Sequence, residues 1–493
     1  MLFNSMQFMV FFPVVTVLFY ALPQRWRWLL LLGSSVAFYM AFIPAYILIL
    51  AALILIDFTA GILIERTKGK RRGDLLLASI FATCCALLAF KYFDFFAVNA
   101  TALAGFLHWN YRVDVLHIIL PIGLSFHTFQ SLSYVIEVYR GSRPAERHLG
   151  IYALYVMFYP QLVAGPIERP GHLLPQFREE HRIDSRGFVD GLKLMAWGMF
   201  QKVVIADRLA PFVNTAYAAP ASHGGTALLA ATVFFAFQIY CDFSGYTDIA
   251  RGAAQVMGFR LVRNFDRPYL ARSISEFWRR WHMSLTSWFR DYVYIPLGGN
   301  RAGSGRMCLN LMATFLLCGL WHGASWTFIL WGALNGAYLA IGALTRGWRE
   351  KMAGLSGIGN YPRLQGLVKA AVTFSLVCAG WTLFRADSAG SALLVLRKSA
   401  GAIGPSILAA FSPQSWRALL ASSPLGERPA DFLLSLGLIA LVWLVDLVRG
   451  RGSLIAESHK FPAAVRWAAY FALVLGIMFL GKFGQRHFIY FQF

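Results

Sequence analysis

Charge is scarce in this sequence, and acid scarcer than base. Only 14% of its 493 residues are charged, with 24 acids against 45 lysines and arginines, where an ordinary globular domain carries roughly 25%. Such a chain cannot be solubilised as a compact globule of this size. Cysteine is also sparse. Cys84, Cys85, Cys241, Cys308, Cys318 and Cys378 show neither the paired spacing of a metal site nor the framework of a secreted disulfide scaffold, and read as small core residues. No His-x-x-x-His pair or cysteine cluster accompanies the histidines, so no metal is expected. A repeat of solenoid period is missing, as is the inverted-repeat signature of a secondary transporter.

Apolar residues take the place of charge, at 58% of the chain. Runs of membrane-spanning length recur at 8–22, 46–64, 75–90, 227–240, 432–448 and 463–479, which predicts an all-α polytopic membrane protein of roughly eleven to thirteen helices in a lipid bilayer. The first run has no basic residue ahead of it, whereas Arg25 and Arg27 follow it; it reads as a retained helix, not a cleaved leader. These arginines, together with Arg66, Lys68, Lys70, Arg71 and Arg72 after the third run, mark cytoplasmic loops and place the N-terminus on the outer, periplasmic side. The net charge of +21 is distributed at helix flanks, which suits membrane topology and anionic lipid and excludes nucleic acid as a partner.

The chain reads as a single transmembrane domain, 1–493, in three stretches. Residues 1–139 form conventional spans, 140–345 a core with polar motifs, and 346–493 further spans. Basic residues flank 151–166 on both sides, and Pro160, Gly165, Pro166 and Pro170 break its helix. A segment that enters the membrane and returns is predicted there, against a cavity. The basic, tryptophan-rich stretch 258–306 suits an amphipathic anchor at the cytoplasmic interface. The apolar stretch 309–344 is too long for one span and short for two, and 388–427 fits no element type.

Polar residues cluster in two places. Asp242, Ser244, Tyr246 and Asp248 end an apolar run, where their burial costs several kcal/mol unless they satisfy one another. One reading is a polar network pinning a helix end; the other is a site open to a polar ligand. His282, in the basic aromatic segment, and His322, between Trp321 and Gly323 within the next apolar run, are proton-transfer candidates. A single histidine in such a place is more often a satisfied core residue; two together point toward a site.

Five ordered blocks then carry a resemblance. They are Asp242-Phe243-Ser244-Gly245-Tyr246, Asn264-Phe265-Asp266-Arg267-Pro268-Tyr269, Ser275-Glu276-Phe277-Trp278-Arg279-Arg280-Trp281-His282, Trp288-Phe289-Arg290-Asp291-Tyr292 with Ile295-Pro296-Leu297-Gly298-Gly299-Asn300-Arg301, and Gly319-Leu320-Trp321-His322-Gly323-Ala324. The sequence resembles the membrane-bound O-acyltransferase (MBOAT) superfamily, in its bacterial branch of alginate O-acetylation and teichoic acid D-alanyl transfer. Weaker similarity extends through Leu120-Pro121-Ile122-Gly123-Leu124-Ser125-Phe126 and Ala164-Gly165-Pro166-Ile167 to Phe488-Ile489-Tyr490-Phe491-Gln492-Phe493.

That resemblance implies a helical fold around a central funnel or tunnel in the bacterial inner membrane. It makes His322 the essential intramembrane histidine and His282 its second, more variable one. The donor implied is a cytoplasmic thioester, acetyl-coenzyme A, with no permanently bound cofactor. The acyl group would pass to a periplasmic acetyltransferase partner that modifies an exported polysaccharide, alginate first, with peptidoglycan or cellulose as alternatives. Acyl transfer needs a base and a polar clamp for the oxyanion. His322 is expected as the base, with Ser244, Tyr246 and Asn300 orienting carbonyl or acceptor. Arg279, Arg280 and Arg290 are expected at coenzyme A phosphates, or alternatively paired with Glu276, Asp291 or lipid. Trp288 and Trp321 complete the candidate donor site, and Asp242 or Asp248 would orient a histidine through its second nitrogen. From another class, a non-catalytic transporter or a scaffold of a polysaccharide export complex remains open.

Overall fold

In a computed structural model, the chain is described at residues 1–116, 121, 123–163, 165–301, 303–356, 360–421, 424–450, 458–484 and 488–489. Within the terminal and LPIG motifs, Leu120, Ile122, Ala164, Tyr490, Phe491, Gln492 and Phe493 lie outside the described residues. Helices run in chain order as α1 (Met6–Ala21), α2 (Gln24–Met40), α3 (Tyr46–Arg66), α4 (Lys70–Leu87), α5 (Phe93–Phe106), α6 (Leu124–Tyr139), α7 (Leu149–Met157), α8 (Tyr159–Leu162), α9 (Pro170–Leu173) and α10 (Ser185–Met199). There follow α11 (Asp207–Ala218), α12 (Gly225–Val256), α13 (Ile274–Trp278), α14 (Met283–Phe289), α15 (Gly303–His322), α16 (Trp326–Leu344), α17 (Arg346–Leu355), α18 (Pro362–Arg385), α19 (Ala389–Ala410), α20 (Pro413–Ala421), α21 (Pro429–Val448) and α22 (Ala463–Leu480). Among the described residues there is no strand.

Nine of these helical segments are long and apolar enough to cross a membrane, among the described residues. The count is below the eleven to thirteen expected because α1, at 16 residues, α2, at 17, and α6, at 16, fall short of a span. None of the described α22 side chains is buried, as a helix coated by lipid requires. The chain divides into two compact units. One comprises 1–195 with 246–263; the other comprises 196–245 with 264–493, so α12 begins in the second and ends in the first.

In the first unit α3 packs on α4 and α6, and α2 on α7. The broken segment expected at 151–166 is found as α7 and the single turn α8, parted at Phe158 (φ −49°, ψ 111°). In the second unit α15 and α16 form the most extensive helix pair, and α18 packs on α16. Thus 309–344 is two helices, joined by only three residues. Small residues make this possible: a Cβ on Gly319 would lie 2.3 Å from the Phe328 carbonyl, and one on Gly332 equally close to the Phe315 carbonyl. With no Cβ the two backbones touch, the way helices associate without a hydrophobic drive. Capping is local and regular: the Ser325 hydroxyl accepts from Thr327 N–H at the start of α16, and Ser388 from Ser391 N–H at the start of α19. The unassigned stretch 388–427 contains α19 and α20.

The stretch 258–306 departs from the sequence expectation. It holds two short helices and a π-helical turn at Arg290–Tyr294, and Trp278, Trp281 and Trp288 are all buried. An interfacial anchor would expose these rings to headgroups. Here they belong to the protein core, because neighbouring rings of α16 and α18 offer them apolar contact.

Candidate acyl-transfer site

His322 ends α15, one turn after Gly319. The Gly319–Gly332 contact therefore fixes the imidazole against α16, and its ring centroid lies 4.8 Å from Trp321, 5.0 Å from Trp331 and 5.2 Å from Phe384. It is 5% exposed. Trp331 stacks on Trp381 at 6.2 Å, and Trp381 meets Trp281 at 4.9 Å. A lattice of large rings thus holds one polar ring in place, which limits its rotamers without offering it charge.

His282 reaches the same region from another element. Its backbone is left-handed (φ 42°, ψ 56°) at the N-cap of α14, a conformation that a bulky residue enters only when its surroundings impose it. Asn264 supplies the constraint. Its carbonyl accepts from Met283 N–H at 2.9 Å, and its side-chain Oδ1 accepts from the Ser284 hydroxyl at 2.7 Å. The imidazole is 1% exposed and packs edge-on against Phe243 at 4.7 Å and across from Trp321 at 6.4 Å. Burial pushes it down to about 3, so at neutral pH His282 is an uncharged ring with one donor and one acceptor nitrogen. Trp321 stands between the two histidines.

A cavity of about 1510 Å³ opens in the second unit beside this lattice. Arg272, Arg279, Arg290, Arg346, Arg349 and Lys369 line it, against Glu276 and Glu350. Its wall also includes Trp278, Phe315 and Cys318. Cys318 is one helical turn before His322, and Trp278 packs at 5.6 Å on Trp331, the ring that also covers His322. Two rings, Trp278 and Trp331, therefore lie between this part of the wall and the imidazole, and most of the charged groups in the lining are basic.

The other residues singled out in the sequence fall into three places. Arg279, Arg290 and Asn300 line the cavity. Arg279 also donates to the Ser275 hydroxyl, and Arg290 pairs with Asp291 at 2.7 Å. Arg280 is absent from the lining and pairs with Glu276 at 2.5 Å. Trp288 is buried against Phe289 and Tyr292, and Ser244 is buried in α12. Tyr246 belongs to the first unit and packs on Phe3 at 5.1 Å.

Asp242 and Asp248 do not orient a histidine. Asp248 pairs with Arg251 at 3.0 Å. Asp242 pairs with Lys202 at 2.6 Å and accepts from Ile489 N–H at 2.7 Å. Lys202 also holds Asp207 at 3.0 Å; all three are buried. The lysine sits in a π-helical turn, Phe200–Ala206, whose wider winding aims it inward. This triad was missed in the sequence, although Lys202 in the middle of an apolar run five residues before Asp207 was the available signal. Nothing in the sequence around Asn264, Trp331, Trp381 or Phe384 marks the part each takes in holding the two histidines.

Comparison with known proteins decides what this arrangement belongs to. Residues 148–354 match the model of the MBOAT, membrane-bound O-acyltransferase family. A probable alginate O-acetylase of Azotobacter vinelandii is 40% identical over 79% of this chain and 76% of its own length. The chain belongs to the membrane-bound O-acyltransferase family. A peptidoglycan O-acetyltransferase of Helicobacter pylori is 29% identical over 100% of the chain and 98% of its own length, and a teichoic acid D-alanyltransferase of Streptococcus thermophilus 31% over 45% and 56%. This membrane-bound O-acyltransferase is accordingly an acyltransferase and a multi-pass membrane protein, and the matched region contains both histidines, most of the ring lattice and, Lys369 apart, the basic residues that line the cavity.

Proposed function

We propose that this membrane-bound O-acyltransferase takes an acetyl group from acetyl-coenzyme A in the arginine-lined cavity and passes it across the inner membrane for O-acetylation of an exported polysaccharide, alginate in the first instance. The observation that carries this is the cavity itself: arginines in its lining suit phosphates, apolar side chains suit the pantetheine arm, and Trp278 of its wall packs on Trp331, the ring that covers His322. Guanidinium groups match phosphate bidentately. His322 is the general base. It takes the proton of the acceptor hydroxyl as that oxygen attacks the thioester carbonyl; the tetrahedral intermediate collapses, and the proton returns to the departing thiolate. The cavity mouth then faces the cytoplasm and the N-terminus the periplasm, where an acetyltransferase partner completes delivery to the polymer.

Peptidoglycan is the second acceptor, favoured by the Helicobacter pylori relative that matches the whole chain. Acetyl transfer from radiolabelled acetyl-coenzyme A in membranes, with product assigned to alginate or to peptidoglycan, tests both. His322→Gln is expected to lower transfer by roughly 10² to 10⁴ with the fold retained. Arg279→Ala or Arg290→Ala is expected to raise the donor KM about tenfold, the value of one charge-assisted hydrogen bond, with kcat little changed. Full transfer by His322→Gln removes the mechanism.

A further inference from the structure

A buried acid that acyl transfer does not use lies in the first unit. Asp57 is in the middle of α3, a membrane-spanning helix, and is inaccessible to solvent. Its partners are hydroxyls. Ser79 on α4 donates to it at 2.6 Å, Thr83 on α4 reaches both oxygens at 3.2 and 3.3 Å, and Ser131 on α6 bonds it as well. Among the described residues no lysine, arginine or histidine pairs with it.

The other ion pairs buried in this protein, such as Lys202 with Asp242, show what an ionised acid in its interior is given. A lone carboxylate among hydrocarbon would be far costlier, and groups so placed take up a proton instead. A ring of hydroxyls suits that state, because each can accept as well as donate. The carboxyl proton goes to one hydroxyl while the other two donate to the second oxygen, and no heavy atom moves.

Rings close the site on its other side: the Tyr152 ring on α7 lies 4.5 Å from Tyr134 on α6. Gly61, one turn beyond Asp57, makes room for this: a Cβ there would lie 2.6 Å from the Tyr134 hydroxyl. The titratable groups that face Asp57 are Cys84 from α4, Tyr152 from α7 and, beyond it, Tyr134 from α6.

We propose that Asp57 is a proton-binding site inside the membrane, which ties α3, α4 and α6 together as a neutral, protonated group.

Difference infrared spectroscopy of the full chain in lipid nanodiscs reads this directly. At pH 7 the wild type minus Asp57→Asn is expected to show a protonated carboxylic C=O band that shifts in D₂O. A carboxylate band in its place overturns the proposal. Should asparagine fail to fold, Asp57→Glu keeps the carboxyl and is expected to move the band; an unmoved band overturns the assignment.

Discussion

Two histidines of the same residue type are held in this protein by different means. His322 sits on a regular helix and is fixed by rings; His282 is fixed by its backbone, in a left-handed conformation that Asn264 clamps. The strain at His282 can be measured apart from the ring. For an L-residue the left-handed region costs about 1 to 2 kcal/mol, which glycine escapes. His282→Gly is therefore expected to be more stable than His282→Ala by about 1 kcal/mol, reversing the usual order of these residues, as thermal unfolding in detergent would show. An alanine variant as stable as the glycine one would mean that the loop relaxes on losing the ring. The candidate histidines were legible in the sequence, since an imidazole within an apolar run is costly without a task. The clamp was not, because Asn264 and Ser284 are 20 residues apart and nothing in either position announces a hydrogen bond.

At the scale of elements, the α15–α16 pair is what places His322. Its helices meet through Gly319 and Gly332, whose missing Cβ atoms leave no gap at all. A methyl at Gly319 meets backbone, the Phe328 carbonyl, which cannot swing aside as a side chain would. Overpacking of this kind costs typically about 1 to 3 kcal/mol, and here it also displaces His322 from the rings of Trp331 and Phe384. Gly319→Ala is expected to lower acyl transfer at least tenfold while leaving donor binding near normal, whereas Gly342→Ala, which meets nothing within 4 Å in the same pair, leaves both unchanged. Equal losses in the two variants would show that the Gly319 contact does not decide. The apolar run 309–344 announced itself in the sequence, but not its division, since the hydropathy of a span says nothing of where two backbones touch.

Across the molecule, charge is buried where it is neutralised. Lys202 lies between Asp207 and Asp242, and Asp242 also receives the backbone of Ile489, so the chain near its described C-terminal end is tied to α12. Removing one member of a buried pair costs about 3 to 5 kcal/mol because a charge remains without its counterpart. Lys202→Met is expected to abolish the folded protein in membranes, and Lys202→Met with Asp207→Asn and Asp242→Asn to restore much of it, judged by recovery of monodisperse protein in detergent. A triple variant no better than the single one would place the loss in packing instead.

The sequence by itself determined that this chain lives in a bilayer, that it is helical, and which family it resembles, because hydropathy over span length and ordered motif blocks are properties of neighbouring residues. It also singled out both histidines and the basic residues Arg279 and Arg290. Only the tertiary structure decided that the tryptophans of 258–306 are core and not anchor, that Asp242 answers to Lys202 and not to a histidine, and that arginines far apart in the chain line one cavity whose Trp278 wall packs on the Trp331 ring covering His322. Those facts depend on which side chains meet across tens to hundreds of residues, and pairing at that distance leaves no periodicity in the chain to read.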